Sequence, residues 1–315
     1  MSPRLKLTLT FVTLALCQAQ TLKEDWSSPT LTGSNLKILD IVGGERDTYA
    51  TFTREMMEVT WRPGDPVYIF VILPKNNPHP PAIVYLYGFP SDTERFLNDE
   101  YCQFLTKDGV AAIGFVSALT GHRYHSRPMK EWFVSELREA LSSSAHDVQM
   151  VLNYVAGRGD VDMHHIGMFG EGSGAAIGIL AAAVDSRIKV LDLADPWGDW
   201  PAWMAKSSLI PEEERPNYLK PEFLRGVADL DPVKWLPRLK VPVRLQYLSE
   251  PGVTPAPCRE RILAAAPPQA KVVAHEEAVA QYKVAKLKFF DWLKDQVRAD
   301  GRAVSAANAR KGKID

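Results

Sequence analysis

The hydrophobic positions of this chain fall into short unbroken runs, separated by stretches in which apolar residues recur every third or fourth place. Runs at 83–86, 110–116, 166–169, 188–194, 241–248 and 271–274 have the length of strands buried on both faces. Between two of them, Val148, Val151, Leu152 and Val155 stand at the spacing that lays one apolar stripe of a helix on a sheet. Val284, Leu287, Phe290, Leu293 and Val297 repeat that style near the end. The segment 36–75 differs. Its runs 56–61 and 67–73 flank the turn Pro63-Gly64-Asp65 and read as antiparallel strands. Strands that alternate with helices predict an α/β fold, with a mostly parallel central sheet, antiparallel N-terminal strands and helices on both faces. Sites in such sheets lie at the carboxyl ends of the strands.

One stretch breaks the rhythm. After the sixth of these strands, residues 197–235 run on far past the usual connection length before the next strand, which predicts a segment folded back as a cap. It carries Trp197, Trp200, Trp203 and Trp235 of the chain's 8 tryptophans. Two roles stand open for these rings: roofing an apolar pocket or fixing the cap to the body.

The N-terminus changes the picture of where the chain works. Arg4 and Lys6 precede the apolar run from Leu7 to Leu16, and Cys17-Gln18-Ala19 has the small-x-small pattern of a cleavage site, so residues 1–19 read as a signal peptide. The domain then spans 20–297, with 298–315 as a flexible, basic tail. The apolar run is too short for a membrane span, so we expect a secreted or periplasmic protein. Leu14-Ala15-Leu16-Cys17 has a partial likeness to a lipid-attachment box, which makes a lipoprotein anchored at Cys17 the alternative. A formal net charge of −1 offers no handle for nucleic acid. Cys102 and Cys258 are too few for a disulfide framework, and whether they pair is open. His164-His165 point to opposite faces, and His122 and His125 lack matching ligands, so no metal and no cofactor is expected. The loop 121–127, with Arg123 among its basic residues, reads as hydrated, or as holding an acidic group.

The run 166–169 leads into Gly170-Glu171-Gly172-Ser173-Gly174. This resembles the G-x-S-x-G nucleophile elbow of the α/β-hydrolase superfamily, in its dienelactone-hydrolase-like, prolyl-oligopeptidase-like and platelet-activating-factor-acetylhydrolase-like branches. The resemblance extends over roughly 53–297 and implies descent from serine esterases or peptidases. Gly170 and Gly174 fill the two positions that must be small, which leaves Gly172 where the nucleophilic serine belongs. Two readings follow. Either the register is kept and ordinary triad catalysis is lost, or Ser173 acts one residue late, which would put the bulky Glu171 at a crowded position.

The resemblance also assigns the remaining roles. Asp195, at the end of 188–194, is the triad acid in one branch; the commoner place falls at 249–251, where Glu250 is the substitute. As an alternative, Asp195 caps the first turn of the cap segment. His275 follows the last strand, where the family's histidine lies. Tyr87-Gly88-Phe89 stands where the oxyanion-hole loop belongs, so Gly88, the Phe89 amide and the Ser173 amide are its candidates. The ligand implied is a small ester or acyl compound. An active hydrolase using Ser173, His275 and Asp195, and a non-catalytic protein binding a ligand or partner, are the alternatives to an inert descendant.

Overall fold

A computed structural model describes residues 24–89, 94–119, 123, 133–247, 253–275 and 289–298. The expected signal peptide, Glu250, His122, His125 and the tail beyond 298 lie outside them, as does the first part of the last apolar helix.

Nine strands form one sheet: β1 (Asp40–Thr48), β2 (Phe52–Arg62), β3 (Asp65–Pro74), β4 (Ala82–Leu86), β5 (Ala111–Phe115), β6 (Ile166–Glu171), β7 (Ile188–Ala194), β8 (Val243–Tyr247) and β9 (Lys271–Ala274). Their order is β1-β2-β3-β5-β4-β6-β7-β8-β9. The first three and the β3–β5 pair are antiparallel, and β5 through β9 are parallel. Because the chain steps from β4 outward to β5 and then back across to β6, the crevice between β4 and β6 is the switch point where such sheets place their sites. β1 is a strand that the hydrophobic pattern did not separate. Nearly all its residues are exposed, so no apolar run marks it. The long excursion therefore follows the seventh strand, not the sixth.

Each face of the sheet has its own core. Helices α1 (Asp99–Thr106), α2 (Leu137–Arg158), α3 (Ser173–Val184), α4 (Trp200–Lys206), α5 (Arg215–Tyr218), α6 (Pro221–Val227), α7 (Pro232–Trp235), α8 (Ala256–Ala265) and α9 (291–298) surround it. Residues of α2, α3 and the excursion share one core with Val84, Met168 and Leu191, and α1 and α9 share the other with Tyr85 and Phe169. In α3 the fully buried Ile177 and Leu180 each contribute about 1.5–3 kcal/mol of hydrophobic stabilisation. The neighbouring Ala175, Ala176 and Ala181 are small enough for the helix to lie close to the strands.

The excursion 197–235 packs against α2 and α3. Prolines at the start of α4, α6 and α7 set each new helix, and Asp231 ties the ends together: its carboxylate accepts from the amides of Asp199, Trp200 and Val233. Trp197, Trp200 and Trp203 are buried in mutual contact, with centroids 4.7 and 5.9 Å apart, so these three fix the segment to the body. Trp235 lies apart, beneath the Arg238 guanidinium.

A second polar device fastens the N-terminal segment. Ser142, His146 and Gln149, on one face of α2, bond to the carbonyls of Trp26, Ser28 and Pro29. Glu24 accepts from Arg62 at 2.5 and 2.6 Å and pairs with His146 at 2.6 Å. Arg62 and Arg123 both grip Asp147, which is completely buried, and Arg123 also pairs with Asp65. Arg123 is thus an interior structural cation, 3% exposed, and not a hydrated loop residue.

Candidate functional site

The corner between β6 and α3 falls at Gly172, whose φ of 53° and ψ of −113° lie in a region side chains rarely adopt. Two flanking glycines are sterically obligatory. A Cβ on Gly170 would stand 2.6 Å from the Ala175 Cα, and one on Gly174 would stand 2.1 Å from the Leu86 carbonyl oxygen. The small residues expected from the sequence are there because β4 and α3 approach the bend this closely.

What surrounds the apex is less usual. The Trp197 amide donates to the Gly172 carbonyl at 3.2 Å, and its indole Nε1 would lie 3.1 Å from a Cβ on Gly172. Trp197, itself wholly buried, covers the corner. Ser173 is the first residue of α3 and is also wholly buried; its Oγ accepts from the Phe89 amide at 2.9 Å. The hydroxyl therefore occupies a backbone donor of the loop after β4. Gly88 packs against the elbow from that loop, since a Cβ there would meet the Glu171 carbonyl oxygen at 2.8 Å.

Asp195 follows β7 with φ of +42°, and its carboxylate pairs with Arg259 of α8 at 3.1 Å while the Thr254 hydroxyl bonds to its carbonyl at 2.9 Å. It does not cap the excursion: the residue preceding α4 is Asp199, and Asp231 receives the amides there. His275 lies just past β9. Its Nε2 donates to Gln246 Oε1 at 2.9 Å, and the Gln246 amide nitrogen donates to Asp192 at 2.8 Å, which fixes the amide's orientation and the imidazole's tautomer. Its ring rests on Phe289, on the α9 side of the sheet. β9 is three strand spacings, about 14 Å, from β6. Ser173, Asp195 and His275 are thus each engaged with a different partner: Phe89, Arg259 and Gln246.

Of the charged groups that flank the apex, sequence reasoning singled out Glu171 and Asp195 but passed over Arg95 and Arg259. On one side, Glu171 ends β6; on the other, Asp195 ends β7, and the pairing of Glu171 with Ala194 sets the two carboxyls at neighbouring strand ends. Burial pushes the Glu171 carboxyl up to about 7; the charge of Arg95 opposes this and that of Asp195 adds to it. Arg95 lies over the Tyr87 ring at 3.7 Å. Opposite, Arg259 lies over the Tyr247 ring at 5.5 Å, and burial followed by the Asp195 charge raises the Tyr247 phenol. Arg95, Arg259 and Tyr247 carry no motif that would have marked them in the sequence. Cys102 and Cys258 are both buried thiols in opposite cores, with burial raising them to about 11 and about 12. His165 pairs with Asp162 at 2.5 Å.

No family profile matches the chain, and no curated protein is significantly similar to it in sequence. Solved structures are similar in fold. The acetyl xylan esterase from Paenibacillus sp. R4 superposes with a TM-score of 0.66 at 15% identity, over 86% of this chain and 91% of that one. Acetyl xylan esterase 1 from Thermoanaerobacterium sp. JW/SL YS485 gives 0.64 at 14% identity, over 82% and 88%. A cold-adapted esterase from an Arctic intertidal metagenomic library gives 0.59 at 15%, over 81% and 98%. The chain has the α/β-hydrolase fold expected from its elbow. Among the described residues, no helix is long and apolar enough to cross a membrane.

Proposed function

We propose that this chain is an exported relative of serine esterases and peptidases that does not hydrolyse esters at its elbow, and that it binds a small ligand at the carboxyl ends of its strands. One observation carries the reading: the bend that would present a nucleophile is Gly172, without a side chain, and Trp197 occupies the space over it. Two further contacts support it. The Ser173 hydroxyl is buried and already accepts from Phe89, one of the amides that an oxyanion would need. The imidazole of His275 is turned to Gln246. Acyl transfer needs a nucleophile within hydrogen-bond reach of its base, and Ser173 and His275 are bonded instead to Phe89 and Gln246. Export rests on the leader pattern of residues 1–19.

The test is to expose the chain and its Ser173→Ala variant to a fluorophosphonate probe and to short p-nitrophenyl esters. The expected result is no labelling and no turnover in either. Labelling of the unaltered chain that disappears in the variant would establish instead an active hydrolase that uses Ser173 with His275 and Asp195. N-terminal sequencing of chain recovered from the export compartment, expected to begin at Gln20, tests the leader.

A further inference from the structure

An open cleft of about 280 Å³ lies where the N-terminal segment, the first turn of α2 and the end of α6 meet, lined by Ser27, Arg138, Arg225, Gly226 and Asp229. Its walls are held in place: the Ser142 hydroxyl bonds to the carbonyls of Trp26 and Ser28 on either side of Ser27, and α6 packs against α2. Arg138 and Arg225 are exposed, and among the described residues neither guanidinium has a hydrogen bond or an ion pair. The neighbouring acids are already engaged. Asp25, which feels the charge of Arg138, accepts from the Ser27 amide and hydroxyl at 2.9 and 2.6 Å, and Asp229 pairs with Lys234 at 3.5 Å. Gly226 adds an independent feature. It stands near the end of α6 without a positive φ, and a Cβ there would meet nothing within 4 Å. Neither a turn nor close packing requires glycine at this place, and glycine stabilises a helix less than alanine does. What the missing side chain preserves is the open space of the cleft.

We propose that this cleft binds a small hydroxylated phosphate monoester, whose phosphoryl oxygens accept from Arg138 and Arg225 and whose alcohol portion lies over Gly226 and donates to Asp229. Each guanidinium is a planar fork that matches two oxygens at once. A carboxylate presents a single edge to such a fork, whereas the three free oxygens of a phosphate monoester serve both arginines. The volume is near the lower end of the range for small-molecule pockets, about 300–1,000 Å³. Asp229 supplies an acceptor that a site for a bare anion has no use for, and it selects an ester carrying hydroxyls over phosphate alone. This site goes beyond the reading of the elbow and does not depend on it.

The experiment is calorimetric titration of the full chain with glycerol 3-phosphate at neutral pH and low salt, beside inorganic phosphate, sulfate and acetate. One saturable site for glycerol 3-phosphate is expected, with inorganic phosphate and sulfate weaker and acetate weakest. Arg138→Gln and Arg225→Gln should each raise Kd about tenfold or more. Gly226→Leu should abolish binding by filling the cleft. The two arginines are exposed and Gly226 faces open space, so all three variants should keep the Tm of the unaltered chain. Absence of saturable binding overturns the proposal, as does unchanged binding in the arginine variants or in a stable Gly226→Leu. Inorganic phosphate bound as tightly as the ester would assign the cleft to free phosphate and overturn the monoester. Equal binding of all four anions, lost alike on adding chloride, would reduce the arginines to a general anion contact. None of these outcomes alters the fluorophosphonate result, so the two readings fall separately.

Discussion

Trp197 holds Gly172 at both ends: its amide donates to the Gly172 carbonyl at 3.2 Å, and its indole nitrogen fills the place beside the missing side chain, 3.1 Å from a Cβ built there. Restoring a serine at this corner therefore has to displace the indole and place an L-residue at φ of +53°. Gly172→Ser should lose about 1–2 kcal/mol, a fall of some 2–8 °C in Tm, measured by thermal denaturation. It should also remain without esterase activity, since His275 stays with Gln246 and Ser173 stays on Phe89. Turnover of p-nitrophenyl acetate by Gly172→Ser would mean that the rest of the machinery is intact and that only the hydroxyl was lost.

Ser173 separates a structural role from a catalytic one. Its Oγ is the acceptor for a partly buried backbone amide, so Ser173→Ala leaves the Phe89 N–H without that bond. The expected cost is about 1–2 kcal/mol, read as a lower urea midpoint with unchanged slope. A catalytic serine held for reactivity would instead be neutral or stabilising to remove.

Much of this arrangement was legible in the sequence. The apolar runs located β4 to β8 because strands buried on both faces have to be continuously hydrophobic, whereas β9, also expected to be buried on both faces, is mostly exposed at the end of the sheet; the glycines at 170 and 174 located the elbow because backbone approaches of this kind exclude any Cβ. β1 escaped notice for the converse reason: it lies at an open edge and carries no burial pattern. The site was harder to read. Ser173, Asp195 and His275 were picked by position along the chain, but hydrogen-bond partners are a matter of side-chain direction, and the pattern does not encode whether His275 turns to Gln246 or toward the elbow. Nor did any spacing connect Glu171 with Arg95, or Asp195 and Tyr247 with Arg259, which come from separate elements that only the fold brings close.

Acid stability should depend on the N-terminal segment. Burial alone would raise Glu24 and Asp147, but Arg62 with His146, and Arg123 with Arg62, outweigh it and hold both carboxyls down at about 2. Carboxyls depressed on folding contribute stability that is present above their ordinary values of 4.5 and 3.8 and is lost as pH falls toward 2. Glu24→Gln should accordingly be less stable than the unaltered chain at pH 7, by about 1–3 kcal/mol, and the gap should close between pH 4.5 and 2. Urea denaturation across that range is the measurement. A gap that persists at pH 2 would show that Glu24 acts by packing and not by charge.

Glu171 runs the other way. Its carboxyl is raised on folding, so its contribution is fully present below 4.5 and is lost as pH rises through about 7. Replacing it with Gln removes the ionisation that folding opposes. The Tm of Glu171→Gln relative to the unaltered chain should increase by a few degrees from pH 5 to pH 8. A constant difference would place the Glu171 carboxylate in water, outside the influence of Asp195.

The buried pair of Asp192 and Arg244 offers the last expectation. Arg244 donates to Asp192 at 2.9 and 2.5 Å, and the same carboxylate receives Gln246, the residue that orients His275. Burial raises Asp192 even with Arg244 and Gln246 lowering it, so the carboxyl depends on its arginine to remain charged. Arg244→Met should cost about 3–5 kcal/mol near neutral pH, because it strands a charge in the sheet interior. Asp192→Asn combined with Arg244→Met should recover most of that loss, since a neutral amide asks less of its surroundings. Denaturation of the single and double variants gives the coupling, and nitrogen-15 spectra of His275 report the relay: its Nε2–H tautomer should persist in the double variant, where Gln246 keeps its place, and become mixed in Gln246→Leu. If Arg244→Met is instead cheap and the double variant no better, Asp192 is already protonated in the folded chain, and the orientation of His275 rests on Gln246 alone.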